Sequence, residues 1–221
     1  MIPLGDDNSS RRITPVVTYA LIVINVLFFL VELSAGDAFI QRWSVVPQRL
    51  LANPVGDFIT LFTAMFMHGG WMHLIGNMLY LWIFGDNVED RLGHAKFLVF
   101  YLLCGIVATF AQVLVDPTSN IPNLGASGAI AGVLGAYLLM FPRGSVRVLM
   151  GRAIIPMPAL IVIGFWALLQ LVNGFGAIAA TEQTMDTGGV AYMAHVGGFI
   201  AGLILAPLMG GTRQEPRLRA Y

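Results

Sequence analysis

A serine at the start of an apolar run is the first residue in this chain whose surroundings suit a nucleophile. Ser127 follows Gly125 and Ala126 and precedes Gly128 and a stretch of aliphatic residues. At a helix N-terminus a serine hydroxyl commonly caps free backbone N–H groups. The same N–H groups and the positive end of the helix dipole can stabilise an oxyanion that forms beside the hydroxyl. Both interpretations of Ser127 are open from its neighbours alone.

A histidine inside another apolar run is the matching candidate for a general base. His195 lies in the segment 194–198, Ala-His-Val-Gly-Gly. Ionisable side chains within membrane spans are costly and usually serve a function. An imidazole can take the proton of a serine hydroxyl. The alternative is a core histidine that bonds a backbone carbonyl of another helix.

Two further polar residues are spaced so that they share one helix face. His73 and Asn77 are four residues apart in the segment 71–88. Both side chains can donate hydrogen bonds, so together they can hold an oxyanion. The alternative is hydrogen bonding between helices, which is common in membrane proteins. We interpret His68, just before this segment, as a structural residue of the preceding loop.

Small residues recur at every fourth position in the two runs that carry Ser127 and His195. Such stripes let two helices approach closely in lipid, which would bring His195 near Ser127. The stripes consist of Gly128, Gly132 and Ala136 in one run, and of Ala194, Gly198, Gly202 and Ala206 in the other.

The composition indicates that lipid surrounds these elements. The chain has 221 residues, of which 57% are hydrophobic and 11% charged, whereas ordinary soluble domains carry about 25% charged residues. The 12 basic and 12 acidic residues balance, so no nucleic-acid binding surface is indicated. The single cysteine, Cys104, excludes an intramolecular disulfide and is interpreted as a small core residue.

Six apolar runs predict an all-α membrane protein with six transmembrane helices. Most are near the ~20 residues that a spanning helix needs. We interpret residues 35–70 as a folded first loop with short interfacial helices, and residues 1–13 and 211–221 as tails. The first run is too long for a signal peptide and is expected to remain as the first span. The runs cover residues 14–34, 71–88, 95–115, 127–141, 154–173 and 190–209.

The basic residues predict the orientation of the chain. With residue 1 in the cytoplasm, ten of the 12 Lys and Arg residues fall in inner segments and only Arg42 and Arg49 in outer ones. This asymmetry follows the positive-inside rule, so both tails are predicted to be cytoplasmic. Because no targeting segment is evident, we expect a bacterial or archaeal plasma membrane.

The fourth run is too short to cross the bilayer. Its 15 residues, 127–141, make about 22 Å of helix, against a hydrocarbon layer of about 30 Å. The preceding segment 116–126 contains Pro117, Pro122 and Gly125, so it is expected to enter the membrane as irregular backbone. Such backbone is tolerated only where protein or water surrounds it. This predicts a water-filled cavity that opens outward, with Ser127 at its floor.

The orientation also places the polar candidates at one depth. The second, fourth and sixth spans run in the same direction, and His73, Ser127 and His195 each lie in the first turns of their span. All three are therefore predicted to lie near the outer face.

These motifs resemble the rhomboid family of intramembrane proteases over roughly residues 55–210. The resemblance rests on the segments 125–128 and 195–198, on the H-x4-H-x3-N arrangement of His68, His73 and Asn77, and on the segment 89–93. It implies a catalytic dyad of Ser127 and His195 without a catalytic acid, with neither a metal nor a cofactor. It also implies that His73 and Asn77 hold the oxyanion, and that the substrates are membrane-spanning segments of other proteins.

The chain departs from the family pattern at three positions. Many members carry a Trp-Arg pair where this chain has Ile59 and Thr60, and a Tyr under the histidine ring where it has Ala131. The outer loop at 174–189 is long enough to serve as a lid.

Two other functions fit the same residues. One is a non-proteolytic member of the fold, a membrane chaperone or trafficking factor that binds spanning helices. The other is a small transporter with an outward vestibule lined by His73 and Asn77.

Overall fold

The computed structural model describes residues 1–179 and 190–211, and within them the chain is mostly helical with one small sheet. The five long helices are α1 (Val16–Ala35), α6 (Trp71–Leu92), α7 (His94–Val115), α9 (Ala159–Ala179) and α10 (Tyr192–Leu208). The short helices are α2 (Asp37–Trp43), α3 (Pro47–Ala52), α4 (Pro54–Asp57), α5 (Thr60–Thr63), a 3-10 turn at Ala64–Phe66, and α8 (Ser127–Met140).

Length and apolar composition identify α1, α7 and α9 as helices that can each cross a membrane. In α9 the apolar stretch is Ala159–Gly176. The segments Pro54–Phe66 and Trp71–Leu92 are long and apolar enough to cross a membrane only when they are taken together, and the chain bends by 79° between them. Helices α8 and α10 are apolar but shorter. The described residues therefore hold three spans by this measure, or four with the bent pair, as expected of a multi-pass membrane protein.

A three-stranded antiparallel sheet corrects the all-α prediction. The strands are β1 (Ile2–Asp6), β2 (Ser145–Met150) and β3 (Ala153–Pro158), in the order β1-β2-β3. The fifth span was predicted to begin at residue 154, but residues 153–158 form β3 and the helix begins at Ala159. Gly151, with a φ of +63°, supplies the left-handed conformation that a tight hairpin turn requires.

The same sheet changes the interpretation of residues 1–13 as a tail. Asp6 of β1 accepts hydrogen bonds from the Tyr137 hydroxyl of α8 and from the Asn87 side chain of α6, both at 2.7 Å. Burial raises the pKa of Asp6 to about 6, and the nearby Asp86 carboxylate adds to the shift. Strand β1 therefore packs against the ends of α6 and α8.

One acidic residue near the end of α6, Glu89, holds the first turn of α1. The fully buried Glu89 carboxylate accepts the backbone N–H groups of Val17 and Thr18 and the Thr18 hydroxyl, at 2.7–2.9 Å. A helix N-terminus has free N–H groups and a positive dipole end, so a carboxylate there is stabilising. The segment 89–93 thus joins two long helices at the end of the bundle that carries the sheet.

The loop between α1 and α6 is held by one arginine. Arg49 bonds the Asp57 carboxylate at 2.8 Å, the Ser44 carbonyl at 2.8 Å and the Gln41 carbonyl at 2.5 Å. Thr60, one of the two departures from the family pattern in this loop, is buried and bonds the Asp57 carbonyl. Arg49 and Asp57 therefore connect the short helices of the loop to one another.

Candidate active site

Helices α6, α8 and α10 place their first turns at one end of the bundle, away from the sheet. Ser127 is the first residue of α8, and His73 and His195 lie in the first turns of α6 and α10. Ala126 occupies the N-cap position, and no side chain of the described residues forms a capping hydrogen bond there. The capping role that the sequence left open for Ser127 is therefore not the one observed.

The segment before α8 is irregular and is fixed to the first loop. Val45 and Asn123 form an isolated antiparallel bridge, and the N–H of Gly125 donates to the carbonyl of Ala64 at 2.9 Å. Gly125 has a φ of +133°, a conformation that side chains rarely adopt. This backbone presents Ser127 at the helix start with its side chain partly exposed.

Gly125 lies between the histidine of α6 and the serine of α8. A β-carbon at Gly125 would be 3.0 Å from Nε2 of His73 and 3.5 Å from Oγ of Ser127. The N–H of Gly69 points at Nδ1 of His73 over 3.4 Å. In a neutral imidazole this leaves the proton on Nε2, which is then a donor on the side of Gly125 and Ser127.

Asn77 lies one turn further along α6 than His73, and its side-chain amide has an unused hydrogen-bond donor. Its side chain is 8% exposed, and its Nδ2 has no hydrogen-bond partner among the described residues. Buried amides almost always find partners, so an orphaned donor beside a site calls for an explanation. A ligand oxygen that is present only during a reaction would supply one.

Helix α10 packs on α8 through the predicted glycine stripes. A β-carbon at Gly198 would collide with the backbone carbonyl of Gly128, and one at Gly202 with that of Gly132. Next to this contact, the carbonyl of Ala194 lies 3.7 Å from a β-carbon position at Gly128. The close approach therefore places the turn that carries His195 against the first turn of α8.

The imidazole of His195 has a partner on α9. Its Nδ1 lies 2.7 Å from Oε1 of Gln170, and the ring of Trp166 is 5.9 Å away, centroid to centroid. Ser127 and His195 both belong to the described residues, and no direct hydrogen bond joins them there.

His68 lies in the turn before α6, where it is 1% exposed. Its backbone N–H donates to the Glu32 carboxylate of α1 at 3.0 Å, and its ring lies 5.1 Å from that of His73, centroid to centroid. Phe29 packs against it from α1. The loop is thus held through the backbone of His68, both ring nitrogens lack a hydrogen-bond partner among the described residues, and the structural role of the side chain stays a prediction.

Two residues near the site were missed from the sequence. Gln170 contacts His195, and Glu32 holds the loop that carries His68. Both are polar side chains in long apolar helices, and that alone was a usable signal. The 174–189 loop, considered as a lid, lies largely outside the described residues. Within the described residues, no cluster of three or more His, Cys, Asp or Glu side chains is arranged to hold a metal ion.

Known proteins match most of this chain. Residues 55–212 match the Rhomboid domain. YdcA of Bacillus subtilis is 35% identical over 130 residues, which cover 58% of this chain and 64% of that protein. Rhomboid protease GluP of Bacillus subtilis is 32% identical over 203 residues, 89% of this chain and 35% of that protein. Rhomboid protein 1 of Saccharomyces cerevisiae mitochondria is 28% identical over 91% of this chain and 55% of its own length. The chain thus spans between about a third and two thirds of these relatives.

Proposed function

Because this chain belongs to the rhomboid family, we propose that it is an intramembrane serine endopeptidase that uses Ser127 and His195 as a catalytic dyad. Its substrates are membrane-spanning segments of other proteins, cut near the outer face of the bilayer. One observation carries the proposal. The Ser127 hydroxyl, which caps no backbone N–H group, and the His73 imidazole lie on either side of Gly125. The contact between Gly128 and Gly198 brings the turn that carries His195 against the same end of α8.

The proposed membrane arrangement has six spans. Helices α8 and α10 complete a bundle with α1, α6, α7 and α9, because their glycine contacts pack α10 against α8 inside it. Ten basic residues in the inner segments support a cytoplasmic location of both tails and of the sheet. The membrane is proposed to be a prokaryotic plasma membrane.

The proposed reaction begins when His195 takes the hydroxyl proton of Ser127 at Nε2. The Ser127 oxygen attacks a peptide carbonyl, and the oxyanion accepts hydrogen bonds from Nε2 of His73, Nδ2 of Asn77 and the Ser127 backbone N–H. The His195 imidazolium then gives its proton to the leaving amine. Water, activated by the same imidazole, releases the acyl group.

The missing hydrogen bond between Ser127 and His195 is compatible with this sequence of events. In substrate-free enzymes catalytic hydrogen bonds are often long, and they tighten when the substrate is bound. The same observation is the one that favours a second candidate, a non-proteolytic rhomboid protein that binds spanning helices without cutting them.

Covalent labelling distinguishes the two candidates. We expect a fluorophosphonate probe to react with the purified protein and to leave a single adduct on Ser127, as located by mass spectrometry. His195→Ala should slow the labelling, because the base that activates the hydroxyl is lost. If the folded protein takes up no probe and also leaves a spanning reporter uncut, the non-proteolytic candidate is supported.

Asn77→Ala tests the oxyanion assignment. Because the unpartnered Nδ2 is proposed to bond the oxyanion only in the transition state, kcat should fall by about 10²-fold or more with KM little changed. Initial rates on a spanning reporter provide the measurement. Met72→Ala, at a largely exposed position of the same helix, is the matched control and should cleave normally. An unchanged kcat for Asn77→Ala would remove Asn77 from the site.

A further inference from the structure

The only side chain that hydrogen-bonds the His195 ring, among the residues that the structure describes, is Gln170. We propose that Gln170 is a positioning residue, which fixes the tautomer and the direction of the imidazole so that Nε2 is the base. This inference rests on the proposed function, and it concerns how the base is held.

The amide orientation of Gln170 follows from its second contact. Its Nε2 lies 3.4 Å from the backbone carbonyl of Trp166, one turn earlier in α9, and donates to it. This leaves Oε1 to face the imidazole at 2.7 Å. A carbonyl oxygen only accepts, so Nδ1 of His195 must carry the proton and Nε2 must hold the free lone pair.

The acceptor at this position is neutral. Helices α9 and α10 contain no Asp or Glu, and the described residues place no carboxylate in hydrogen-bond contact with His195. A carboxylate in this place would both orient the imidazole and stabilise its charged form. An amide oxygen orients the imidazole without adding a full negative charge. Gln170 is therefore expected to act chiefly through geometry.

The ring of His195 contacts one aromatic side chain of α9 and one of α10. The indole of Trp166 lies 5.9 Å from the imidazole at an angle of 38°, and Tyr192 of α10 approaches edge-on at 6.5 Å. On α8, Ala131 is buried and carries only a methyl group, so it adds no aromatic contact. In this chain α9 thus supplies both a hydrogen bond and a tilted aromatic contact to the base.

Two substitutions separate positioning from simple packing. Gln170→Leu keeps most of the volume but removes the acceptor, so kcat on a spanning reporter should fall at least about tenfold with KM little changed. Gln170→Glu keeps an acceptor for Nδ1–H and should restore most of the rate. Its carboxylate stabilises the imidazolium, so the acid limb of the kcat/KM profile should move to higher pH.

Asn173→Leu is the matched control, because it replaces an exposed amide of the same helix with the same apolar side chain. Its kcat and pH profile should equal those of the wild type. The proposal is overturned if Gln170→Leu retains the wild-type kcat. It is also overturned if Gln170→Glu loses as much rate as Gln170→Leu, because the loss then comes from packing.

A spectroscopic measurement tests the inference independently of proteolysis. The chain has four histidines, so ¹⁵N-histidine NMR can assign His195 by comparison with His195→Ala. We expect a protonated Nδ1 and an unprotonated Nε2 for His195 at neutral pH, and loss of this pattern in Gln170→Leu. Protonation on Nε2 in the wild type would refute the inference even if the protein proves to be a protease. If the protein shows the expected protonation of His195 but cleaves no reporter, the proposed function is wrong and the inference about Gln170 stands.

Discussion

Ser127→Ala is expected to abolish cleavage of a spanning reporter while leaving the protein folded. Without the hydroxyl no acyl-enzyme can form, and the rate should fall by at least about 10⁴-fold. The hydroxyl is partly exposed and caps no backbone N–H group. Its loss should therefore change the free energy of unfolding by less than about 0.5 kcal/mol. Initial cleavage rates and the thermal midpoint in the same detergent give both quantities.

Ser34→Ala is the matched control for that experiment. It removes an exposed serine hydroxyl on α1, and it should cleave the reporter as the wild type does. His195→Ala should lose as much activity as Ser127→Ala, because the two residues act as one unit. Cleavage that persists in purified Ser127→Ala would show that another residue is the nucleophile.

The second large effect is expected at the glycine contacts between α8 and α10. In Gly202→Ala the new methyl group would meet the carbonyl oxygen, carbonyl carbon and α-carbon of Gly132. These are backbone atoms that cannot rotate away, so the helices must separate. Overpacking of this kind costs about 1–3 kcal/mol, and a backbone obstacle places Gly202 at the upper end. The thermal midpoint should fall by about 10 °C.

Gly76→Ala provides the comparison. Gly76 is in the interior of α6, and a β-carbon there would meet no atom of another element within 4 Å in the part of the chain that the structure describes. Alanine is the better helix former by roughly 0.5–1 kcal/mol, so this variant should be as stable as the wild type or slightly more so. Equal thermal midpoints for Gly202→Ala and Gly76→Ala would mean that α8 and α10 are not in close contact.

The features that the sequence predicted well are local ones. A continuous apolar run bounded by polar or helix-breaking residues marks a helix, and α8 begins at Ser127, where the run begins. Small residues at every fourth position form a stripe on any helix, so the close approach of α8 and α10 was predicted from spacing, although the pairing of Gly128 with Gly198 was not.

The sheet was missed for two reasons: β1 pairs with a strand that is distant in the chain, and the adjacent hairpin of β2 and β3 overlaps an apolar run. Ile154 and Ile155 were assigned to a helix, since a short apolar run does not distinguish a strand from a helix. The alternation of the buried Val146 and Val148 with exposed neighbours was the available signal. Strand β1 also alternates in burial, but its buried residues are Pro3 and Gly5 while the apolar Ile2 and Leu4 are exposed, so its sequence gives no such signal.

The residues that position His195 were missed for a related reason. Gln170 is one of two side-chain amides in an otherwise apolar helix, the other being Asn173, and its partner is 25 residues away. Which face of α9 meets α10 is decided by packing, and the sequence of α9 does not encode it.

The sheet has a consequence for the order in which the chain is completed during synthesis. In the sheet, Ile2 pairs with Leu149 and Asp6 pairs with Val146. The Asp6 carboxylate also accepts a hydrogen bond from the Tyr137 hydroxyl. These partners leave the ribosome on the order of 140 residues after β1. The backbone edge of β1 therefore stays unpaired until α8 and the residues that follow it have been synthesised, so the end of the bundle that carries the sheet closes late. A chain that stalls before residue 145 would expose that edge to neighbouring nascent chains.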